Sequence, residues 1–169
     1  FDQQNHGGLT KQQLLDKDRD HSSETDEVSR SKLFSGWNVL LIEPNPNIPR
    51  EGKGQTIGGR KQMETNQSST QYLQTLQTNP VYRHESGLTN EDWLTRFLLH
   101  LKATNEVIDD YAGHGSANFL IANYSPSSGN VPYVYFYRDH QQAYLSRFGP
   151  DYRAENHGVG VGVRITTLK

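Results

Sequence analysis

Cysteine is missing from this chain of 169 residues, and methionine occurs once. Without a thiol there is no disulfide, no thiolate metal site and no cysteine nucleophile. Apolar residues are scarce, at 33%, which is low for a compact domain and lies toward the composition of disordered chains. No apolar run approaches the roughly 20 residues of a membrane-spanning helix. No membrane span is expected, and no signal peptide is read at the start. A surplus of either charge is also lacking: 17 basic and 19 acidic residues give a formal net charge of -2. Duplex-binding domains carry a basic face, so nucleic acid is not the expected partner.

Aromatic side chains and glycine are plentiful. Nine tyrosines, six phenylalanines, two tryptophans and 15 glycines suit a loop-rich core held by a few large rings. The length fits one domain that folds without covalent staples.

Along the chain, residues 9–15 read as a short helix capped by Thr10, and 16–32 as a polar loop. Residues 1–35 thus form an N-terminal helix and polar loop, and 36–169 the domain proper. Trp37 to Ile42 is a buried-strand candidate. Residues 43–50, with three prolines and two asparagines, must turn, and glycine-rich 51–60 reads as a loop. Ser69 to Gln77 reads as a helix with Tyr72, Leu73 and Leu76 on one face. The strongest element is a helix over 88–102. Thr89 caps it, Asp92 closes a capping box, and Leu88 and Trp93 have hydrophobic-staple spacing. Trp93, Phe97, Leu101 and Leu94, Leu98 form two adjoining rows, a wide apolar stripe. Phe119 to Tyr124 and Val131 to Tyr137 read as strands joined by a turn at Pro126 to Gly129. Residues 138–158 show no period and read as irregular. Val159 to Ile165 reads as a closing strand, its alternate glycines signalling close approach of another backbone or side chain.

Three constellations could carry chemistry. Asp16, Asp18, Asp20, Ser22, Glu24 and Glu27 occupy calcium-loop positions. However, His21 stands where the turn needs glycine and Ser23 where an apolar residue is usual, so a solvated loop is expected and no metal site. The histidines at 84, 100, 114, 140 and 157 have no metal-ligand spacing. His100 falls among polar helix positions, at the surface. Asp109 or Asp110 with His114 could form an acid–base pair.

The third constellation is aromatic. Five of the nine tyrosines fall in residues 133–152: Tyr133, Tyr135, Tyr137, Tyr144 and Tyr152. Arg138, Asp139, His140, Ser146, Arg147, Phe148, Asp151, Arg153, Asn156 and His157 accompany them. Tyrosine and arginine dominate binding hot spots, with small polar residues adapting around them. One face of strand 133–137 is expected to pack inward. The rest is expected to bind a ligand, since aromatics clustered in loops mark recognition.

Met63-Glu-Thr-Asn66 with Tyr72-Leu73, Leu88-Thr-Asn-Glu91-Asp-Trp93, and Gly158-Val-Gly-Val-Gly-Val-Arg164 together resemble formylglycine-generating-enzyme-type domains. The resemblance covers about residues 60–165. It implies an α+β fold of C-type-lectin-like type, irregular and loop-rich, with about two core helices and short antiparallel strands. Within that group, the variable proteins of diversity-generating retroelements are most similar. Residues 131–158 resemble their hypervariable region, rich in the Tyr, Asp, His, Ser, Arg, Gly and Phe that adenine-directed mutagenesis produces. Ala143 and Leu145 would then be fixed scaffold. The generating enzymes use active-site cysteines, which this chain lacks, and the iron-ligating motif of the related sulfoxide synthases is not matched. The resemblance therefore carries no activity, and no cofactor is expected. The expectation is a binding domain for a protein or other exposed macromolecular surface. A histidine-dependent hydrolase or nuclease using His114, His140 or His157, and a calcium-dependent glycan binder, are the alternatives.

Overall fold

The computed structural model describes residues 38–113, 115–124 and 129–166. The proposed helix at 9–15, the acidic run from Asp16 to Glu27, Trp37, His114 and the turn residues 125–128 lie outside them.

The fold is mixed α+β. Among the described residues, nine short strands make three small sheets, accompanied by two α-helices. In chain order these are β1 (Asn38–Ile42), β2 (Thr56–Ile57), β3 (Arg60–Lys61), α1 (Ser69–Thr78), β4 (Glu85–Gly87), α2 (Asn90–Thr104), β5 (Ala117–Phe119), β6 (Val131–Tyr137), β7 (Gln142–Phe148), β8 (His157–Gly158) and β9 (Val161–Thr166). The sheets are ordered β1-β9-β4, β2-β3 and β7-β6-β5-β8. Residues Leu40–Ile165 make one compact unit.

Local chemistry explains both helices. Ser68 and Gln71 form a reciprocal capping box at the start of α1, and Thr89 and Asp92 form one at the start of α2. Each satisfies two amides that the helix leaves unpaired. Asn105 ends α2 in the left-handed region at φ 58°, donating its N–H to the Leu101 carbonyl at 2.8 Å. Leu88 and Trp93 are both buried in one cluster, as their staple spacing requires.

The apolar stripe of α2 is narrower than its sequence suggests. Trp93 and Phe97 are buried and Leu101 is half-buried, but Leu94, Leu98 and Leu99 are exposed. Only the row that stacks Phe97 on Phe136 of β6, at 5.9 Å, is covered. His100 is half-buried, not fully at the surface. Strand β1 is likewise buried on one side only: Leu40 and Ile42 pack against the core while Leu41 is exposed.

Three further segments differ from their sequence reading. Residues 56–61 form a hairpin. Its turn residues Gly58 and Gly59 have φ of 59° and 84°, the paired positive angles that a two-residue turn demands. The strand expected at 119–124 is β5 followed by a 3-10 turn at Ile121–Asn123. Residues 138–158 are not uniformly irregular: a 3-10 turn at Arg138–His140 leads into β7, which pairs with β6 along its length. Strand pairing is also not all antiparallel, because β5 and β8 run parallel.

Two apolar clusters share β6. Tyr133 and Val131 belong to one, with Tyr72, Phe119, Val159 and Val161. Val134 belongs to the other, with Trp93, Phe97, Ile108 and Leu120, and Phe136 packs against it. A buried polar node centred on Asp109 lies in the second region. Asp109 Oδ2 accepts from Trp93 Nε1 at 2.6 Å and Asn118 Nδ2 at 3.3 Å, and Asp109 N–H donates to Asn47 Oδ1 at 2.9 Å. Asn118 Oδ1 in turn accepts from the Gly160 amide at 2.9 Å. A Cβ on residue 160 would stand 2.7 Å from Asn118 Nδ2, so the closing strand's glycine is required by close approach.

Trp93 is therefore both core and hydrogen-bond anchor. Trp93→Ala is expected to destabilise the domain by roughly 3–5 kcal/mol, read as a lowered thermal midpoint. An unchanged melt would contradict this packing.

Candidate functional site

The β6–β7 hairpin sorts its side chains by register. Tyr133 faces Ser146, Tyr135 faces Tyr144, Tyr137 faces Gln142 and Val131 faces Phe148. Partners directly opposite share a face, so these residues form one side of the hairpin. Pro132, Val134 and Phe136, opposite Arg147, Leu145 and Ala143, form the other. Arg147 is thus placed across the sheet from the tyrosines, and Leu145, read as fixed scaffold, is exposed.

On the tyrosine side the rings form a near-parallel series. Tyr152 stacks on Phe148 at 3.8 Å, Phe148 on Tyr133 at 4.7 Å, Tyr133 on Tyr135 at 5.8 Å, and Tyr135 on Tyr144 at 5.4 Å. Tyr137 meets His140 edge-on at 4.8 Å, and His140 Nδ1 is 2.5 Å from the Tyr144 hydroxyl. Offset stacking of this kind adds about 0.5–1.5 kcal/mol per pair beyond burial.

His157 sits at the inner end of this face. It is buried on β8, and five ring centroids, those of Tyr111, Phe119, Tyr133, Phe148 and Tyr152, lie 5.2–6.4 Å from its own. Burial, with the Arg50 guanidinium adding to it, pulls the imidazole down to about 4. The neutral ring contacts Asn156 Oδ1 through Nδ1 at 2.8 Å. Because that oxygen only accepts, Nδ1 carries the proton and Nε2 is left as an acceptor. A concavity of about 220 Å³ opens here, lined by Tyr111, Ala117, Tyr133, Tyr135, Phe148, Tyr152, Asn156 and His157.

The segment from Gly149 to Asn156 is held by ties to other elements. The Thr70 hydroxyl at the start of α1 donates to Asp151 Oδ1 at 2.9 Å. Arg50 donates to the carbonyls of Glu155 and Gly115 at 2.9 and 2.7 Å, and the Asn156 carbonyl accepts from Ala117 at 2.8 Å. Asp151 is thereby a tie to the scaffold, while Arg153 is exposed. Arg138 reaches back to Asp110 Oδ2 at 2.6 Å. Asp139 is exposed, and its charge holds the Tyr137 hydroxyl above the ordinary phenol range.

Tyr111 was not among the residues expected here. The Asp109–Tyr111 segment runs beside β6, with a Phe136 N–H to Asp109 carbonyl bond of 2.8 Å and a bridge between Asp110 and Phe136. That pairing sets the Tyr111 ring 5.0 Å from Tyr135. A tertiary bridge of this kind leaves no periodic signal in sequence. Of the acid–base reading of the same segment, His114 lies outside the described residues; Asp109 Oδ2 accepts from Trp93 and Asn118 and Asp110 Oδ2 from Arg138, while Oδ1 of each is buried without a hydrogen-bond partner among the described residues. Neither His140 nor His157 has a carboxylate as its hydrogen-bond partner among the described residues. No group of three or more His, Asp or Glu side chains that could hold a metal ion is found among those residues, nor a helix long and apolar enough to cross a membrane.

Comparison with known proteins finds no family model, no curated protein and no solved structure that matches this chain.

Two buried titratable groups push stability in opposite directions with pH. Burial raises Asp109 to about 6, above the roughly 3.9 of an unfolded aspartate. The folded state therefore binds more protons between these values, and stability falls as pH rises from about 4 to about 6. His157, near 4 when folded and roughly 6.5 when unfolded, does the reverse: its contribution is present above about 6.5 and is lost as pH falls toward 4. Asp109→Asn is expected to remove the first slope, so its melting temperature should climb more steeply from about pH 4.5 to 6.5 than that of the wild type. Parallel profiles would contradict the assignment of the two groups.

Proposed function

We propose that this chain is a non-catalytic binding domain that displays the tyrosine side of the β6–β7 hairpin, with residues 149–157, to a protein or other macromolecular surface. The observation that carries this reading is the ring series itself. It packs at one end on His157 and Phe119, where Tyr152 is its exposed cover, and stays open at the other, where Tyr144 is half-buried and His140 is exposed. Rigid aromatic anchors of this kind offer large contact area at low entropic cost. The backbone beneath them is fixed by pairing and by main-chain ties, so the side chains can vary without loss of the frame.

The finer reading is a C-type-lectin-like variable protein of a diversity-generating retroelement. It is supported by the motifs at 63–73, 88–93 and 158–164 and by the composition of 131–158. The flanking DNA tests it: a reverse transcriptase gene and a near-copy of the codons for 131–158 are expected, and a locus with neither would remove the retroelement from the account.

The binding function is tested with a protein ligand selected from a displayed library against the wild-type chain. Alanine at Tyr137, His140, Tyr144 or Tyr152 should leave the melting temperature within a few degrees, since substitutions at such outer positions usually stay within about ±0.5 kcal/mol, whereas Arg138→Ala would leave the buried Asp110 carboxylate without its partner and lower it. Several of the same changes should weaken binding by more than roughly tenfold, as loss of a hot-spot anchor costs about 2 kcal/mol or more. Phe148→Ala and Tyr133→Ala should instead unfold or soften the domain. Selected ligands that are indifferent to every outer residue would contradict this reading. So would a catalytic activity that survives every outer-residue change but is lost with one histidine.

A further inference from the structure

The concavity beside His157 has a chemistry more specific than the face around it, and its role as a ligand site rests on the proposed binding function. Its volume, about 220 Å³, is below the roughly 300–1,000 Å³ of sites for drug-sized molecules, so it holds one ring-sized unit. The rings that line it are spent on one another. Separations of 3.8–5.8 Å along the series leave no slot for a planar guest, which needs about twice the roughly 3.5 Å contact distance between two faces. A stacked base or an inserted aromatic side chain is therefore not accommodated between them.

What the walls offer is hydrogen bonding without charge. The hydroxyls of Tyr111, Tyr133 and Tyr135 make no protein hydrogen bond among the described residues. Burial, with the neighbouring phenols adding to it, raises the Tyr135 hydroxyl above its ordinary range. A phenol hydroxyl can both donate and accept. Asn156 adds an amide donor, and His157 adds the acceptor Nε2. An anion finds no lysine or arginine among the lining residues. A cation finds no carboxylate among the described lining residues, and the Arg50 guanidinium lies within electrostatic reach of His157. The guest that satisfies alternating donors and acceptors on an uncharged ring is a polyol.

We infer that the concavity bounded by Tyr111, Tyr133, Tyr135, Asn156 and His157 binds a neutral pyranose residue, as presented by a glycan, without calcium. Hydroxyls of the sugar donate to His157 Nε2 and exchange hydrogen bonds with the tyrosine hydroxyls. The Tyr152 ring forms the outer rim.

The test is saturation-transfer NMR on the full chain in EDTA with methyl glycosides of glucose, galactose and mannose. Tetramethylammonium and acetate serve as cationic and anionic probes. Transfer to ring protons of at least one glycoside is expected, with little to either ion. Tyr111→Phe and Tyr135→Phe keep the rings and remove only hydroxyls. Each should weaken binding of the glycoside about fivefold, the worth of one hydrogen bond, with an unchanged melt. Binding of an ion in preference to every glycoside would overturn the inference, as would glycoside binding untouched by both variants, or no transfer to any probe. Any of these outcomes, alongside selected protein ligands that still depend on Tyr137, Tyr144 and Tyr152, would remove the sugar and leave the binding function standing.

Discussion

Strand β6 carries the whole arrangement, because its side chains alternate across the sheet with a period of two. Val134 and Phe136 point to the Trp93 side, where α2 and the Asp109 node close the core. Tyr133, Tyr135 and Tyr137 point to the other, where β7 and residues 149–157 meet them. A slip of one residue would exchange the two sets, burying phenols against Trp93 and exposing valine and phenylalanine. The register is held from both edges: β7 pairs along one, and β5, at Tyr133 and Val134, and the Asp109–Tyr111 segment, at Phe136, pair along the other.

This division separates stability from recognition. Phe119 and Tyr133, beside His157, are buried and belong to the frame; Tyr144 and His140, beyond Tyr135, and Tyr152, over the His157 end, are open to solvent to a greater degree. A single face thus grades from core to display along the 7 residues of the strand. Neutral His157 sits at the boundary, and its neutrality follows from burial among rings that offer no anion to pair with. A charge on the ring itself would have to be desolvated at high cost; the segment around it is fixed by the Arg50 guanidinium on two carbonyls, by Thr70 on Asp151 and by the Ala117 amide on the Asn156 carbonyl.

Much of the frame was legible in the sequence, and for identifiable reasons. The capping box at Thr89 is local chemistry written in four residues, although the equivalent box at Ser68 was not read, and β6 announces itself by its run of valine and aromatic residues. The glycines of the closing strand signalled a close approach, and Asn118 supplies it. Strand β7 was not legible. It is an edge strand in which only Tyr144 and Phe148 are half-buried, so little forces polar and apolar residues to alternate, and Gln142 to Phe148 reads as a loop. The exposed leucines of α2 misled in the opposite sense: an apolar row predicts burial only where another element covers it. In the site, the rings from Tyr133 to Tyr152 were expected together, but Arg147 falls on the far face and Asp151 serves the scaffold. Tyr111 arrives by a tertiary bridge that no local pattern encodes. The family resemblance rests on short motifs, and it bears on the fold through those residues alone.

If frame and display are as separable as the geometry of β6 implies, tolerance to change should follow the register. The most direct measurement is the folded fraction of two displayed libraries with five positions randomised in each. One varies Tyr137, His140, Tyr144, Ser146 and Tyr152; the other varies Val131, Tyr133, Val134, Phe136 and Phe148. The account predicts that most members of the first library fold and almost none of the second do. Equal tolerance in both, or collapse of the first, would contradict it.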